Sequence, residues 1–362
     1  MKNRTTLCSL LVVVFFAISI VFSFSSMAAS QPKSGNKLVL RWSDVGPSSG
    51  LRPVYMKKAA DEIEKATNGR VHIDFYWSNS LVNVKENVRA VQKGIADGAW
   101  TGPVYHPAEY PIATGTQTVL YTPHGDDAEY ITKAYWEMWD ELKPFRDEVE
   151  KWGSTVWMMF PYDSYGCFAN KPIRKMEDIK GMRLRVSGEG IGKMVSAAGG
   201  SPGFFASSEV YSSLEKGVID GAIVGYSWGK GYRIYEVSKY LNLLDVTMIG
   251  CCYGIVSFNA LNKMSEQDRK TFMEIGRRVS LELGKATRLE RQDLIGAMEK
   301  EGVELVSFPD EERQKWADLP QVRTFIPAWL ETQEKAGRGK ESRQMVELFL
   351  KKFDLTHLMP KK

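Results

Sequence analysis

Two nine-residue stretches of the chain carry the same helix-to-strand signal. Residues 91–99 read Val-Gln-Lys-Gly-Ile-Ala-Asp-Gly-Ala and residues 214–222 read Leu-Glu-Lys-Gly-Val-Ile-Asp-Gly-Ala, identical at five of nine positions. In each, a glycine is placed to end a helix and an Asp-Gly turn to open a strand. Turns of this kind converge on the same chemistry, and two lobes built alike would also produce it. Either way the chain reads as α/β. Its 362 residues exceed one ordinary core, so two domains of roughly 150 residues each are expected.

The rest of the chain alternates in the same manner. Residues 37–43 read as a strand, Pro53 suits a first helical position, and Tyr55, Ala59, Ile63 and Ala66 form a stripe down to Asn68-Gly69. Residues 71–77 form a second strand, and Val84, Val88 and Val91 mark a second helix. A second lobe starts near Tyr165, with strands at 165–170 and 183–186, helices near 190–198 and 208–216, and the strand opening at Gly221. Residues 253–259 form a strand that returns the chain between lobes. Ser265 then caps a helix pattern running to Gly302, on the order of 55 Å long, enough to lie across both lobes. The expected lobes are 37–164 with about 250–285, and 165–249 with about 286–362.

Charge says little about partners. Lys2 and Arg4 precede an apolar run from Leu7 to Phe24, followed by Ser26-Met27-Ala28: the order of a secretory signal peptide, residues 1–28, cleaved after Ala28. An uncleaved anchor is the competing reading. Those residues hold two basic and no acidic side chains, so the formal +4 becomes +2 on removal. No polybasic cluster supports nucleic-acid binding. Cys167, Cys251 and Cys252 remain, an odd count; a bridge from Cys167 to Cys251 or Cys252 and buried free thiols are both open.

Enzyme motifs mostly fail. There is no Walker A sequence and no His-Glu-x-x-His, and Gly188–Lys193 lacks the third glycine of a dinucleotide loop. Gly46-Pro47-Ser48-Ser49-Gly50 matches a nucleophile elbow, which makes an exported α/β hydrolase using Ser48 the alternative function. His72, His106, His124 and His357 show no metal-ligand spacing, Asp126 and Asp127 suit a helix cap better than a pair of acids, and no cofactor motif is present. Recognition chemistry remains. Arg183 and Arg185 share one face of a strand, and a buried guanidinium there needs a partner. Arg185 stands before a glycine-rich helix start, where a carboxylate can be held bidentately. On spacing alone, a ligand acid and an internal Asp or Glu serve equally.

The chain resembles the periplasmic solute receptors of tripartite ATP-independent periplasmic (TRAP) transporters, the dicarboxylate-receptor family. The residues that carry the likeness are Asn68–Val71, Ala90–Gly94 with Asp97, Asn170–Ile173, Glu177–Arg185, Ser208–Tyr211 and Gly217–Gly221. The resemblance implies a two-lobed periplasmic-binding-protein architecture whose long helix spans both lobes. It implies a non-enzymatic, periplasmic receptor that closes on a small organic anion, expected as a monomer, and hands it to the transporter's membrane subunits. A receptor of similar shape serving signalling or an ATP-driven importer is a further alternative. The family's carboxylate-binding arginine maps onto Arg185. Some members carry a second pocket arginine where this chain has Tyr165, and many a Glu-Asn pair where it has Ile223-Val224. Both changes remove partners for a second acid group, so a monocarboxylate is favoured, with a sulfonate open. Strand ends and following loops supply further substrate-binding candidates: Trp42, Ser43, Asn79, Tyr105, Tyr165, Ser207, Tyr226 and Trp228, each aromatic being equally suited to the core.

Overall fold

The computed structural model describes residues 37–118, 127–162, 164–246 and 250–360. The expected signal peptide, His124 and Asp126 lie outside them. The chain begins with β1 (Leu38–Ser43), α1 (Leu51–Ala66), β2 (Val71–Tyr76), α2 (Asn87–Gln92) and β3 (Gly98–Thr101), then α3 (Ala128–Glu141), α4 (Lys143–Glu150) and β4 (Ser154–Pro161). It passes to the second sheet through β5 (Tyr165–Ala169), β6 (Arg183–Val186), α5 (Glu189–Ala197), β7 (Ser201–Phe204), α6 (Val210–Glu215), β8 (Gly221–Gly225), α7 (Tyr226–Gly231) and β9 (Tyr240–Val246). Then follow β10 (Cys251–Ser257), α8 (Phe258–Asn262), α9 (Glu266–Lys300) and β11 (Glu304–Ser307). The chain closes with α10 (Asp310–Ala317), α11 (Pro320–Arg323), α12 (Phe325–Lys335) and α13 (Gly339–Lys352).

The first sheet runs β2-β1-β3-β10-β4 and the second β11-β9-β5-β8-β6-β7. Within them β1 is parallel to β2 and β3, as β6 is to β7 and β8, while β10 and β5 are antiparallel to the strands beside them. The repeat is therefore structural. Trp42 and Ser43 face Gly98 and Ala99 across β1 and β3, and Leu184 and Arg185 face Gly221 and Ala222 across β6 and β8. Asp97 accepts from the Arg41 amide at 3.0 Å and Nε at 3.1 Å, while Arg41 Nη2 donates to the Gly94 carbonyl at 2.8 Å. Asp220 does the same for Arg183 at 2.8 and 3.1 Å, with Arg183 Nη2 on the Gly217 carbonyl at 2.9 Å. The two glycines take φ of 72° and 65°, where a side chain is strained. Each clip uses the Lys-Gly-x-x-Asp-Gly echo to lock a helix end against a neighbouring parallel strand, β1 in one lobe and β6 in the other.

The Ser265 hydroxyl accepts the Asp268 amide at 3.1 Å and caps α9. At 35 residues the helix is roughly 52 Å long. Its Phe272, Val279 and Leu283 enter the core of the first lobe, and Ile295 and Met298 that of the second. Residues 286–362, expected together in the second lobe, divide between the cores. Phe308, Trp316 and Phe325 pack in the second, whereas Leu330, Met345, Val346, Phe349 and Leu350 pack in the first against Ile131, Tyr135 and Met138 of α3. The reason is a stripe at i, i+1, i+4 and i+5 of α13 that needs an apolar neighbour, which α3 provides. Asp127 caps α3, its carboxylate accepting the Tyr130 amide at 3.0 Å. The three described cysteines are free and buried, and burial pushes the Cys167 and Cys252 thiols up to about 12.

Candidate functional site

Strand β6 separates its two arginines by depth. Leu184 and Val186 point into the second-lobe core, so Arg183 and Arg185 share the other face. Arg183, at the exposed start of β6, finds an internal acid, Asp220. Arg185 is 1% exposed. Its Nε and Nη2 donate to the Phe205 carbonyl at 3.1 Å, Nη2 also to the Ser207 hydroxyl at 3.1 Å, and Nη1 points at the Ile223 carbonyl 3.5 Å away. Among the described residues no carboxylate forms an ion pair with it. A buried cation held only by dipoles carries an uncompensated desolvation cost that an entering anion removes.

Arg185 lines a cavity of about 30 Å³. Trp100, Tyr105, Tyr162, Tyr165 and Trp228 form most of its wall, with Val104 and Val224. The rings brace one another: Trp100 lies 5.8 Å from Tyr105 and 6.0 Å from Trp228, and Trp228 stacks on Tyr232 at 5.6 Å. Two polar atoms at the wall, Ser187 Oγ and Trp100 Nε1, are buried without a hydrogen-bond partner among the described residues. Arg185, Ser187, Ser207 and Trp100 thus give the cavity a cationic fork flanked by neutral donors. The lobes meet over it where the Tyr232 hydroxyl donates to the Val45 carbonyl at 3.0 Å.

Of the residues expected at the site, Arg185, Tyr105, Tyr165, Ser207 and Trp228 line the cavity. Trp42 does not: its ring lies in the first-lobe core, edge-on to Trp157 at 5.0 Å, in space left by Gly98 and Gly254. Ser43 is fully buried, with its hydroxyl 3.4 Å from the Val82 carbonyl. Asn79 holds a turn, accepting the Val84 amide at 3.1 Å. The Tyr226 hydroxyl donates to Asp245 at 2.7 Å beneath the Arg291 guanidinium, away from the cavity. Ser48 is exposed on the loop after β1, outside the cavity. Sequence reasoning missed Trp100, Val104, Tyr162 and Ser187, and named Val224 only as a departure from the family's Glu-Asn pair. Ser187 was the accessible one, because ligands of open α/β sheets sit just beyond the carboxyl ends of the strands. The His106 Nε2–H donates to the Val84 carbonyl at 2.8 Å, and the described residues contain no cluster of His, Cys, Asp and Glu that could hold a metal.

Glu148 of α4 positions the segment that follows Tyr105, accepting the amides of Ile112 at 2.8 Å and Ala113 at 2.9 Å. Burial drives its carboxyl from 4.5 up to about 8, against the pull of those amides and of Lys151 and Arg338. The folded protein then keeps a proton that the unfolded chain has lost, so stability falls as pH rises from about 4.5 to about 8. The slope reaches about 1.4 kcal/mol per pH unit. Urea unfolding at several pH values should show that slope in the wild type and its flattening in Glu148→Gln; equal slopes would mean an ionised carboxylate throughout.

Comparison with known proteins agrees with this architecture. Residues 45–323 match the family described as bacterial extracellular solute-binding protein, family 7. The C4-dicarboxylate-binding periplasmic protein DctP of Rhodobacter capsulatus is 24% identical over 303 residues, 81% of this chain and 87% of that protein. A Bordetella pertussis extracytoplasmic solute receptor binding pyroglutamic acid superposes with a TM-score of 0.74 at 18% identity, covering 86% of this chain and 99% of its own. A TRAP periplasmic solute-binding protein from Desulfovibrio salexigens with bound orotic acid gives 0.75 at 19% identity, covering 89% and 100%. The chain belongs to bacterial extracellular solute-binding protein family 7, the DctP family of TRAP periplasmic solute receptors, and so to a family of receptors rather than enzymes.

Proposed function

We propose that this receptor captures a small organic monoanion, a monocarboxylate or a sulfonate, in the cavity around Arg185. The observation that carries the reading is the buried Arg185 guanidinium, which has only neutral acceptors among the described residues, next to the unpartnered Ser187 hydroxyl and Trp100 indole N–H. One cation and two neutral donors match one acid head group. The surrounding wall is aromatic and aliphatic, so a second charge would lose its hydration without gaining a partner. A compact monoanion suits such a wall. Pyroglutamic and orotic acids, bound by the two structural neighbours, have that character. In this reading the N-terminal segment exports the chain, and the loaded receptor delivers its ligand to TRAP membrane subunits.

Thermal unfolding with pyroglutamate, orotate, benzoate, 2-oxobutyrate, methanesulfonate and benzenesulfonate tests the proposal, with succinate and glucuronate as contrasts. A cognate monoanion at a hundredfold excess over Kd adds about 2.7 kcal/mol of stability, read as a concentration-dependent rise in Tm. A rise with succinate, a diacid, or with glucuronate, a polyhydroxylated monoacid, and none with any of the six compact monoanions would overturn it.

A further inference from the structure

Behind the aromatic wall lies a second cation. Arg52, in the first turn of α1, is largely buried, with 14% of its side chain exposed. Its Nη1 donates to Asp44 Oδ2 at 2.5 Å, and the other carboxylate oxygen of Asp44, which is fully buried, accepts the Gly46 amide at 2.8 Å. The guanidinium centre lies 5.5 Å from the Trp228 ring and 5.9 Å from that of Trp100, the two indoles that line the Arg185 cavity. The site is built around this group: a Cβ on residue 46 would fall 1.9 Å from Arg52 Nη2.

An unpaired guanidinium one ring away from the cavity would favour a second negative group on the ligand, because the two indoles and not bulk water fill the space between. Asp44 removes that attraction in two ways. Its charge cancels the cation's field at the cavity, and its hydrogen bond holds the guanidinium against the rings. We infer that the Asp44–Arg52 pair is a charge-selectivity element that restricts the cavity to ligands with one negative charge, and that neutralising Asp44 admits diacids. The inference rests on the monoanion reading of the Arg185 cavity and extends it to residues in the other lobe. Asp44 acts through Arg52 and is a specificity-determining residue without touching the ligand.

The test uses matched acids that differ by one carboxylate: propionate and succinate, benzoate and isophthalate, 2-oxobutyrate and 2-oxoglutarate. Calorimetric titration of the full mature chain should show the monoacid of at least one pair bound about tenfold or more tightly than its diacid. Asp44→Asn should narrow that ratio by about tenfold, chiefly through tighter diacid binding, and the double variant Asp44→Asn with Arg52→Gln should return it to within about threefold of wild type. If Asp44→Asn fails to fold, Gly46→Ala serves, since its methyl pushes the guanidinium off Asp44 and should narrow the ratio in the same direction. An unchanged ratio in Asp44→Asn, or a narrowing that persists without Arg52, overturns the inference and leaves the monoanion reading standing. Preference of the wild type for the diacid in every pair, or binding of none of the acids, removes both.

Discussion

Arg185→Met is expected to abolish useful capture while leaving the protein folded. Removing a buried, charge-assisted partner of a ligand acid costs about 2–5 kcal/mol, roughly thirtyfold to several-thousandfold in Kd. A micromolar receptor would then bind somewhere between about 30 μM and several millimolar. The same substitution deletes a cation that among the described residues faces only carbonyls and a hydroxyl, and methionine fills much of its volume. Buried charges replaced by apolar groups of similar size are often neutral or stabilising, so the ligand-free Tm should hold or rise. Binding and stability therefore move in opposite directions, which separates a ligand anchor from a structural arginine. Arg185→Lys keeps the charge, loses the planar fork and should fall between. Calorimetry and thermal unfolding of the three proteins decide the matter: Arg185→Met with wild-type affinity would remove the anchor, and a large drop in ligand-free Tm would make the residue structural.

Gly276→Ala should destabilise the protein although it improves helix propensity. At this point α9 crosses β4, and an added Cβ would lie 2.2 Å from Trp157 Nε1 and 2.5 Å from the Trp157 carbonyl oxygen. The indole cannot give way. Its N–H donates to the Phe272 carbonyl at 2.9 Å, and its ring stacks on Phe272 at 4.8 Å and meets Trp42 at 5.0 Å. Overpacking of this kind costs about 1–3 kcal/mol, more than the roughly 1 kcal/mol gained by replacing a helical glycine. Gly296 on the same helix has nothing within 4 Å of an added Cβ, so Gly296→Ala should instead stabilise by up to about 1 kcal/mol. Urea unfolding midpoints of the two variants should shift in opposite directions. A stabilising Gly276→Ala would mean that the helix sits less tightly on Trp157 than described. Because α9 enters both cores, solution scattering should also report whether displacing it alters the angle between the lobes.

The legible parts of this chain were those encoded within a few residues. The glycine stops at 94 and 217, the Asp-Gly turns and the cap at Ser265 each carry their physics locally and stand in the structure where their patterns placed them, whereas of the α1 stripe only Ala59 and Ile63 are buried, beside Met56 and Ala60, with Tyr55 half-buried and Ala66 exposed. The paired Lys-Gly-x-x-Asp-Gly segments went further and disclosed two lobes, because each aspartate also clips an arginine on the parallel strand beside it, Arg41 of β1 and Arg183 of β6. Position along a strand could also be read, which is why half of the residues at the cavity are among those expected from strands and the segments that follow them. Depth and direction could not. Trp42 and Trp100 both lie in strands of the first sheet near their carboxyl ends, yet one fills the core against Trp157 and the other lines the cavity.

Arg183 and Arg185 show the division most sharply. Alternation by itself put them on one face and established that each would need a partner. Only the tertiary structure decided which partner: the turn before β8 offers Arg183 the carboxylate of Asp220, whereas Arg185 lies deeper, under Phe205, Ser207 and Ile223. The same holds for the tail, whose helices were legible but whose division between two cores depended on apolar faces supplied by α3, nearly two hundred residues away in the chain. Helix caps, turns and strand alternation are short-range and survive in any context. Burial, charge pairing and cavity walls are properties of neighbours brought together from distant segments, so the sequence by itself determined two α/β lobes with a candidate arginine, and the packing of those lobes decided which side chains surround it.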